Sequence, residues 1–115
     1  MGNFKKLIVW QEAHALTAEI YARSARFPGI ERFGLTAQLR RAAASIGANV
    51  AEGCGRDGDV ELRRFVRIAR GSAHELEQHL LLARDLGMLD EEEWFLLDRR
   101  VQRLSRMLSG LLRML

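Results

Sequence analysis

Apolar residues recur along this chain at intervals of three and four, the period of helices packed on one side. Four stretches carry the pattern. The first, about residues 9–26, puts Trp10, Ala13, His14, Thr17, Ile20, Tyr21 and Ser24 on one face, with Leu7 just before it. It ends at Phe27-Pro28-Gly29, where proline cannot continue the hydrogen bonding and glycine permits a turn. The second, about residues 35–52, has a core side of Leu35, Leu39, Ala42, Ala43, Ile46 and Val50, and Gly53-Cys54-Gly55 loosens its end. The third, about residues 60–86, aligns Leu62, Phe65, Ile68, Ala69, Ser72, Leu76, Leu80 and Ala83, with Asp59 as the expected N-cap and Gly87 as the C-cap. The fourth opens at Asp90 with Glu93 in capping-box spacing and continues through Trp94, Leu97, Val101, Leu104, Leu108, Leu112 and Leu115. Glu91 and Glu92 suit its positive end. Short connections between long neighbours predict an all-α, antiparallel up-down-up-down four-helix bundle, one domain over residues 1–115.

The second helix has more than a core side. At about 100° per residue, Gly47, Ala48 and Ala51, with Ala44, form a side of small residues that another backbone can approach closely. Gln38, Arg41, Ser45, Asn49, Glu52 and Arg56 form a third, polar side, where a network fixing the packing register is expected, with Glu52 and Arg56 a favourable pair. Val66, Leu81 and Leu82 lie off the core stripe of the third helix, and Leu96, Met107, Leu111 and Met114 off that of the fourth. An apolar surplus of this kind marks an interface, the alternative being scattered surface hydrophobes, which are common. The expectation is a ring-like homo-oligomer with Gly47, Ala48, Ala51, Val66, Leu81, Leu82, Leu96, Met107 and Met114 at the contacts between subunits.

Composition changes this picture only through charge. With 115 residues, 48% apolar and 29% charged, the chain has the make-up of one globular domain. No apolar run approaches the roughly 20 residues of a membrane helix. The opening lacks the apolar core of a signal peptide, and Lys6 stands where myristoylation favours Ser or Thr, so a cytoplasmic address without membrane contact is expected. The lone Cys54 excludes an internal disulfide and a cysteine zinc cage. Of 18 basic residues 16 are arginine, the side chain suited to phosphate forks and buried ion pairs. The net charge is +3, and the first 56 residues hold eight basic against four acidic groups.

Catalytic chemistry finds no foothold. The Glu-x-x-His pairs of a di-iron bundle are missing, because Gln11, Gly71 and Leu76 precede His14, His74 and His79 by three. Glu75 and His79, four apart, read as a core-edge pair rather than two ligands, and His14 beside Trp10 as a core histidine. Cys54 follows a helix C-terminus, the wrong end of the dipole for a thiolate. Ser45 and Ser72 sit mid-helix among small residues, where packing accounts for them. Residues 53–58 lack the Gly-Lys-Ser/Thr ending and the preceding strand of a phosphate loop. Neither a cofactor nor an enzymatic activity is expected.

Rows of arginine are the better candidates. Arg63, Arg67, Arg70 and His74 recur on the third helix opposite its core, and Arg99, Arg103, Arg106 and Arg113 on the fourth. Arg40, Arg41 and Arg56 add charge on the second, and Lys5 and Lys6 at the start. Such rows neutralise successive phosphates with little sequence preference. The alternative is a solvated face laced with ion pairs, Asp59 to Arg63 and Asp98 to Arg99 among them, on a scaffold for protein partners.

The strings FGLTAQLRRAAASIGANVAEGCGR and RRFVRIARGSAHELEQHLLLARDLGML resemble the four-helix bundle proteins encoded in intervening sequences of bacterial 23S ribosomal RNA genes. So does the opening FKKLIVWQEAHALTAEIY with its Phe-Pro turn, and the resemblance covers essentially the whole chain. Gln38 to Arg41, Asn49, Glu52-Gly53, Gly55-Arg56, Ile68 to Ser72 and Glu75 to Glu77 carry it residue by residue. That family is similar to the accessory variability protein of diversity-generating retroelements, a pentameric nucleic-acid-binding partner of a reverse transcriptase. The resemblance implies a homopentamer without enzymatic activity that binds RNA or DNA. Cys54 departs from it, standing where an aromatic is expected, and the charge is less basic than in the retroelement relative.

Overall fold

The computed structural model describes residues 2–115. Four helices account for most of them: α1 (Ile8–Ser24), α2 (Leu35–Cys54), α3 (Gly58–Asp85) and α4 (Glu91–Met114), with no strand among the described residues. Short 3-10 turns, Phe4–Lys6 and Gly29–Glu31, precede α1 and α2. At 1.5 Å per residue the 28 residues of α3 span about 42 Å, which sets the long dimension of the 43 × 23 × 20 Å molecule. Every helix packs on its chain neighbour, and α4 also reaches α1.

The helix ends are chemically distinct. Asp90 caps α4 as expected: its carboxylate accepts from the Glu93 N–H at 2.7 Å, and the Glu93 carboxylate accepts from the Asp90 N–H at 3.2 Å. At the end of α3 the Met88 N–H reaches the Ala83 carbonyl, the Gly87 N–H reaches that of Arg84, and Gly87 takes φ +77°. This left-handed stop needs glycine. The start of α3 differs from expectation. Its N-cap is Asp57 without a side-chain capping bond, and Asp59 lies inside the first turn, where its charge faces the helix dipole instead. The Gly53-Cys54-Gly55 segment does not loosen α2 early, because the helix runs through Cys54.

Leu16, Ile20, Leu39, Ile46, Leu62, Leu76, Leu80, Leu104 and Leu108 are each 0–1% exposed and form the middle of the core. Burying one such side chain contributes about 1.5–3 kcal/mol. The stripe of α1 is rotated from the expected one. Val9, Ala13, Leu16, Ile20 and Ser24 face inward, whereas His14 and Tyr21 are exposed. His14 is therefore not a core histidine, and it stacks on the Trp10 ring at 4.7 Å. On α3 the buried stripe is wider than expected, since the helix packs on both α2 and α4. It takes in Val66 and Ala73, while Ile68 is 43% exposed.

Polar side chains tie the helices at defined levels. The Thr17 hydroxyl donates to the Ala43 carbonyl at 3.0 Å, the Arg40 guanidinium to Ser24 Oγ at 2.8 Å, and Ser45 and Ser72 share a 2.8 Å bond between α2 and α3. Asn49 donates back to Ser45 at 2.9 Å, so the polar side of α2 is partly a register-fixing network. Gln102 of α4 donates to Glu77 of α3 at 2.7 Å.

Candidate nucleic-acid interface

The arginine rows divide by what each guanidinium touches. On α3, Arg67 is exposed and Arg63 half-buried, and neither has a hydrogen bond or carboxylate partner among the described residues. Arg70 donates to Ser109 Oγ of α4 at 3.3 Å. On α4, Arg106 has no partner among the described residues, Arg99 lies over the Phe95 ring at 5.7 Å, and Arg103 pairs with Glu12 of α1 at 3.3 Å. Leu96, Arg99, Arg100, Arg103 and Arg106 surround one open concavity of α4, so four guanidiniums converge there. Arg100 escapes the sequence reading because it falls between the spaced members of the row. Arg113 lies about two turns beyond Arg106.

The α2 arginines have other roles. Arg40 clasps α1, donating to Ser24 Oγ and to the Tyr21 carbonyl at 3.2 Å with its plane 4.7 Å from the Tyr21 ring. Arg56 pairs with Glu52 at 3.0 Å and covers the Phe65 ring at 5.2 Å. Arg41 is exposed and unpaired among the described residues. The expected Asp59–Arg63 and Asp98–Arg99 pairs are not formed; Asp98 instead accepts from Gln102 at 3.4 Å. Thus, of nine expected phosphate contacts, only Arg56 and Arg103 are neutralised by a carboxylate.

Glu93 at the start of α4 is tied to α1. Glu93 accepts from the Asp90 N–H and takes ion pairs from Arg26 and from Arg23, the latter at 3.0 Å. The capping N–H first, then the guanidiniums, push its carboxyl down to about 2. Arg23, held also by Glu19 at 2.7 Å, is raised above the usual arginine value, chiefly by that bond. The Arg23–Glu93–Arg26 cluster is a clamp between α1 and α4.

No group of three potential metal ligands occurs among the described residues. His79 Nε2 is 3.5 Å from Glu75 Oε1 but outside hydrogen-bond geometry. Cys54 is buried, which pushes its thiol up, away from thiolate reactivity. No helix among the described residues is long and apolar enough to cross a membrane.

The model of the 23S rRNA-intervening sequence protein family matches residues 5–110. The chain belongs to that family. A solved structure from Bacteroides thetaiotaomicron, described as a protein with unknown function from the S23 ribosomal protein family, superposes with a TM-score of 0.82. It shares 19% identity, over 91% of this chain and 98% of the other, a likeness of fold. No curated protein matches the chain.

In this member of the intervening-sequence family, the residues expected between subunits fall into two sets. Gly47 and Val66 are inside the protomer: Val66 is 0% exposed, and a Cβ at Gly47 would stand 3.4 Å from the Trp10 indole. Both leave the candidate interface, because neighbours within the chain already cover them. Ala51, Leu81 and Met107 are half-buried, whereas Ala48, Leu82, Leu96 and Met114 are exposed. Ile30 and Phe33, 91% and 88% exposed in the α1–α2 connection, are more exposed than Leu82, Leu96 or Met114, at 39%, 48% and 81%. Their position in a short irregular connection, outside any periodic face, hides them from helical pattern reading.

Proposed function

We propose that this protein is a non-catalytic, nucleic-acid-binding member of its family that works as a homo-oligomer. The observation that carries the reading is the lack of carboxylate partners along Arg63, Arg67 and Arg70 of α3 and around Arg99, Arg100 and Arg106 of α4. A solvated ion-pair face would have paired these cations, and the nearest candidates, Asp59 and Asp98, leave them alone. Unpaired guanidiniums release counterions when phosphates replace them, and this drives salt-dependent binding with little sequence preference. Helix contacts that join Trp10 to Gly47 and Ser24 to Arg40, or Glu77 to Gln102 and Arg84 to Trp94, support the antiparallel up-down-up-down reading. The exposed Leu82, Leu96 and Met114 support self-association, and the subunit number of five and a reverse-transcriptase partner are carried by the family resemblance.

Titration of labelled structured RNA and duplex DNA from low to physiological salt, with mass followed by light scattering, tests the proposal. Binding with a steep salt slope, lost on replacing Arg63, Arg67 and Arg70 together by alanine while the mass is unchanged, is the expected result. No binding at low salt sinks it.

A scaffold for protein partners is the second reading, favoured by the exposed Ile30 and Phe33 and by the use of Arg40, Arg56 and Arg103 within the chain. Under it the triple arginine replacement would lower the assembled mass with no nucleic-acid binding to lose.

A further inference from the structure

Between α1 and α2 lies an open groove of about 660 Å³. Tyr21 and Phe33 border it, Arg32, Arg40 and Arg41 surround it, and alanines of α2, Ala44 and Ala48 among them, leave its floor shallow and smooth. No carboxylate lines it. We propose that this groove binds an unpaired nucleotide of a single-stranded nucleic acid, the base stacking on Phe33 and the phosphate meeting Arg41. This rests on the nucleic-acid reading above but places a distinct chemistry on a different pair of helices.

Three observations favour that occupant. The Phe33 ring is 88% exposed, with the Arg32 guanidinium 5.4 Å from its centre, so it is open to a planar group. Tyr21, 46% exposed, is held by Arg40, which is itself fixed by Ser24 Oγ and the Tyr21 carbonyl, so this wall is preformed. Arg41 has no partner among the described residues and faces the same groove. Aromatic faces interleaved with cations hold single strands, because every unpaired base has a free π-face and every nucleotide a phosphate. A duplex offers no free base face. Three guanidiniums without a lining carboxylate favour a polyanion over the apolar loop of a second copy.

The test uses the full chain, labelled 12-nucleotide oligo(U) and oligo(dT), and a duplex of equal length. Phe33→Ala should weaken single-strand binding about tenfold and leave duplex binding and the melting temperature unchanged, since the ring is exposed. Phe33→Trp should keep single-strand affinity and add indole quenching beyond that of the parent's two tryptophans. Comparing oligo(U) with oligo(dT) separates RNA from DNA as the strand bound. If Phe33→Ala binds single strands like the parent while duplex binding persists, the groove assignment is overturned and the arginine rows stand. Failure of the parent to bind either form at low salt overturns both readings. A drop in assembled mass with unchanged single-strand affinity overturns the groove assignment by making Phe33 a contact between copies.

Discussion

Gly53 of α2 meets Phe65 of α3 so closely that a Cβ at position 53 would stand 3.0 Å from the Phe65 Cβ, and as near to Leu62 Cδ1. That is tighter than nine in ten real Cβ contacts, and the Phe65 Cβ is anchored to the backbone, so a side chain at 53 would push α3 away by a few tenths of an ångström. Gly47 is different. Its missing Cβ faces the Trp10 indole at 3.4 Å, an ordinary contact.

The two glycines therefore predict opposite outcomes for one change. Gly53→Ala should destabilise the fold by about 1–3 kcal/mol through overpacking. Gly47→Ala should be neutral or stabilise by up to about 1 kcal/mol, since alanine is the better helix former. Urea midpoints of the two variants check this, and equal losses would refute the difference in approach.

Ser45 and Ser72 should behave as a coupled pair. Their 2.8 Å bond is partly buried; removing the Ser45 hydroxyl leaves Ser72 without this partner, whereas Ser45 without Ser72 keeps Asn49. Each single alanine variant should cost about 1 kcal/mol and the double variant clearly less than their sum. Additive losses in a double-mutant cycle would mean that the hydroxyls act independently.

The unequal legibility of the helices follows from their chemistry. On α3 and α4 charged residues fill the outer faces, so most of the inner stripes Leu62 to Ala83 and Leu97 to Leu108 can be read from period, although Ile68 is 43% exposed. Helix α1 is apolar nearly all round: Ile8, Trp10, Ala15, Ala18 and Tyr21 compete with Val9, Leu16 and Ile20, and periodicity cannot choose between them. Tertiary packing chose the second set. Val66 was misread for a related reason, as a helix with two packed neighbours buries a wider stripe than one face supplies. The arginine rows were legible as spacing, but which guanidiniums are free depends on contacts such as Glu12 to Arg103, 91 positions apart, which no local pattern encodes.

The Arg23–Glu93–Arg26 clamp predicts an acid-sensitive stability. The carboxyl of Glu93 is lowered from 4.5 to about 2 in the fold. A depressed carboxyl contributes stability that is complete above the unfolded value and lost as pH falls through the folded one. Glu93→Gln should thus cost about 2 kcal/mol at pH 7, allowing for the exposure of Arg26. The gap between parent and variant should close between about pH 4.5 and 2. Urea unfolding at several pH values measures it; a gap independent of pH would show that charge at Glu93 is not the source.

Free and paired arginines should also separate in nucleic-acid titrations. Arg67 and Arg106 have no partner to leave among the described residues, so replacing either with alanine should lower the salt slope by about one unit and shift stability by less than about 0.5 kcal/mol. Arg103 must give up Glu12 before it can meet a phosphate. Arg103→Ala should therefore weaken binding less than Arg106→Ala, although the two side chains belong to one row. The reverse change sharpens the argument. Glu12→Gln removes the competing carboxylate, leaves the guanidinium in place and should tighten duplex binding, most visibly at low salt where surface charges are least screened. A Glu12→Gln chain that binds no better than its parent would show that Arg103 lies outside the interface, and would confine the phosphate contacts of α4 to Arg99, Arg100 and Arg106.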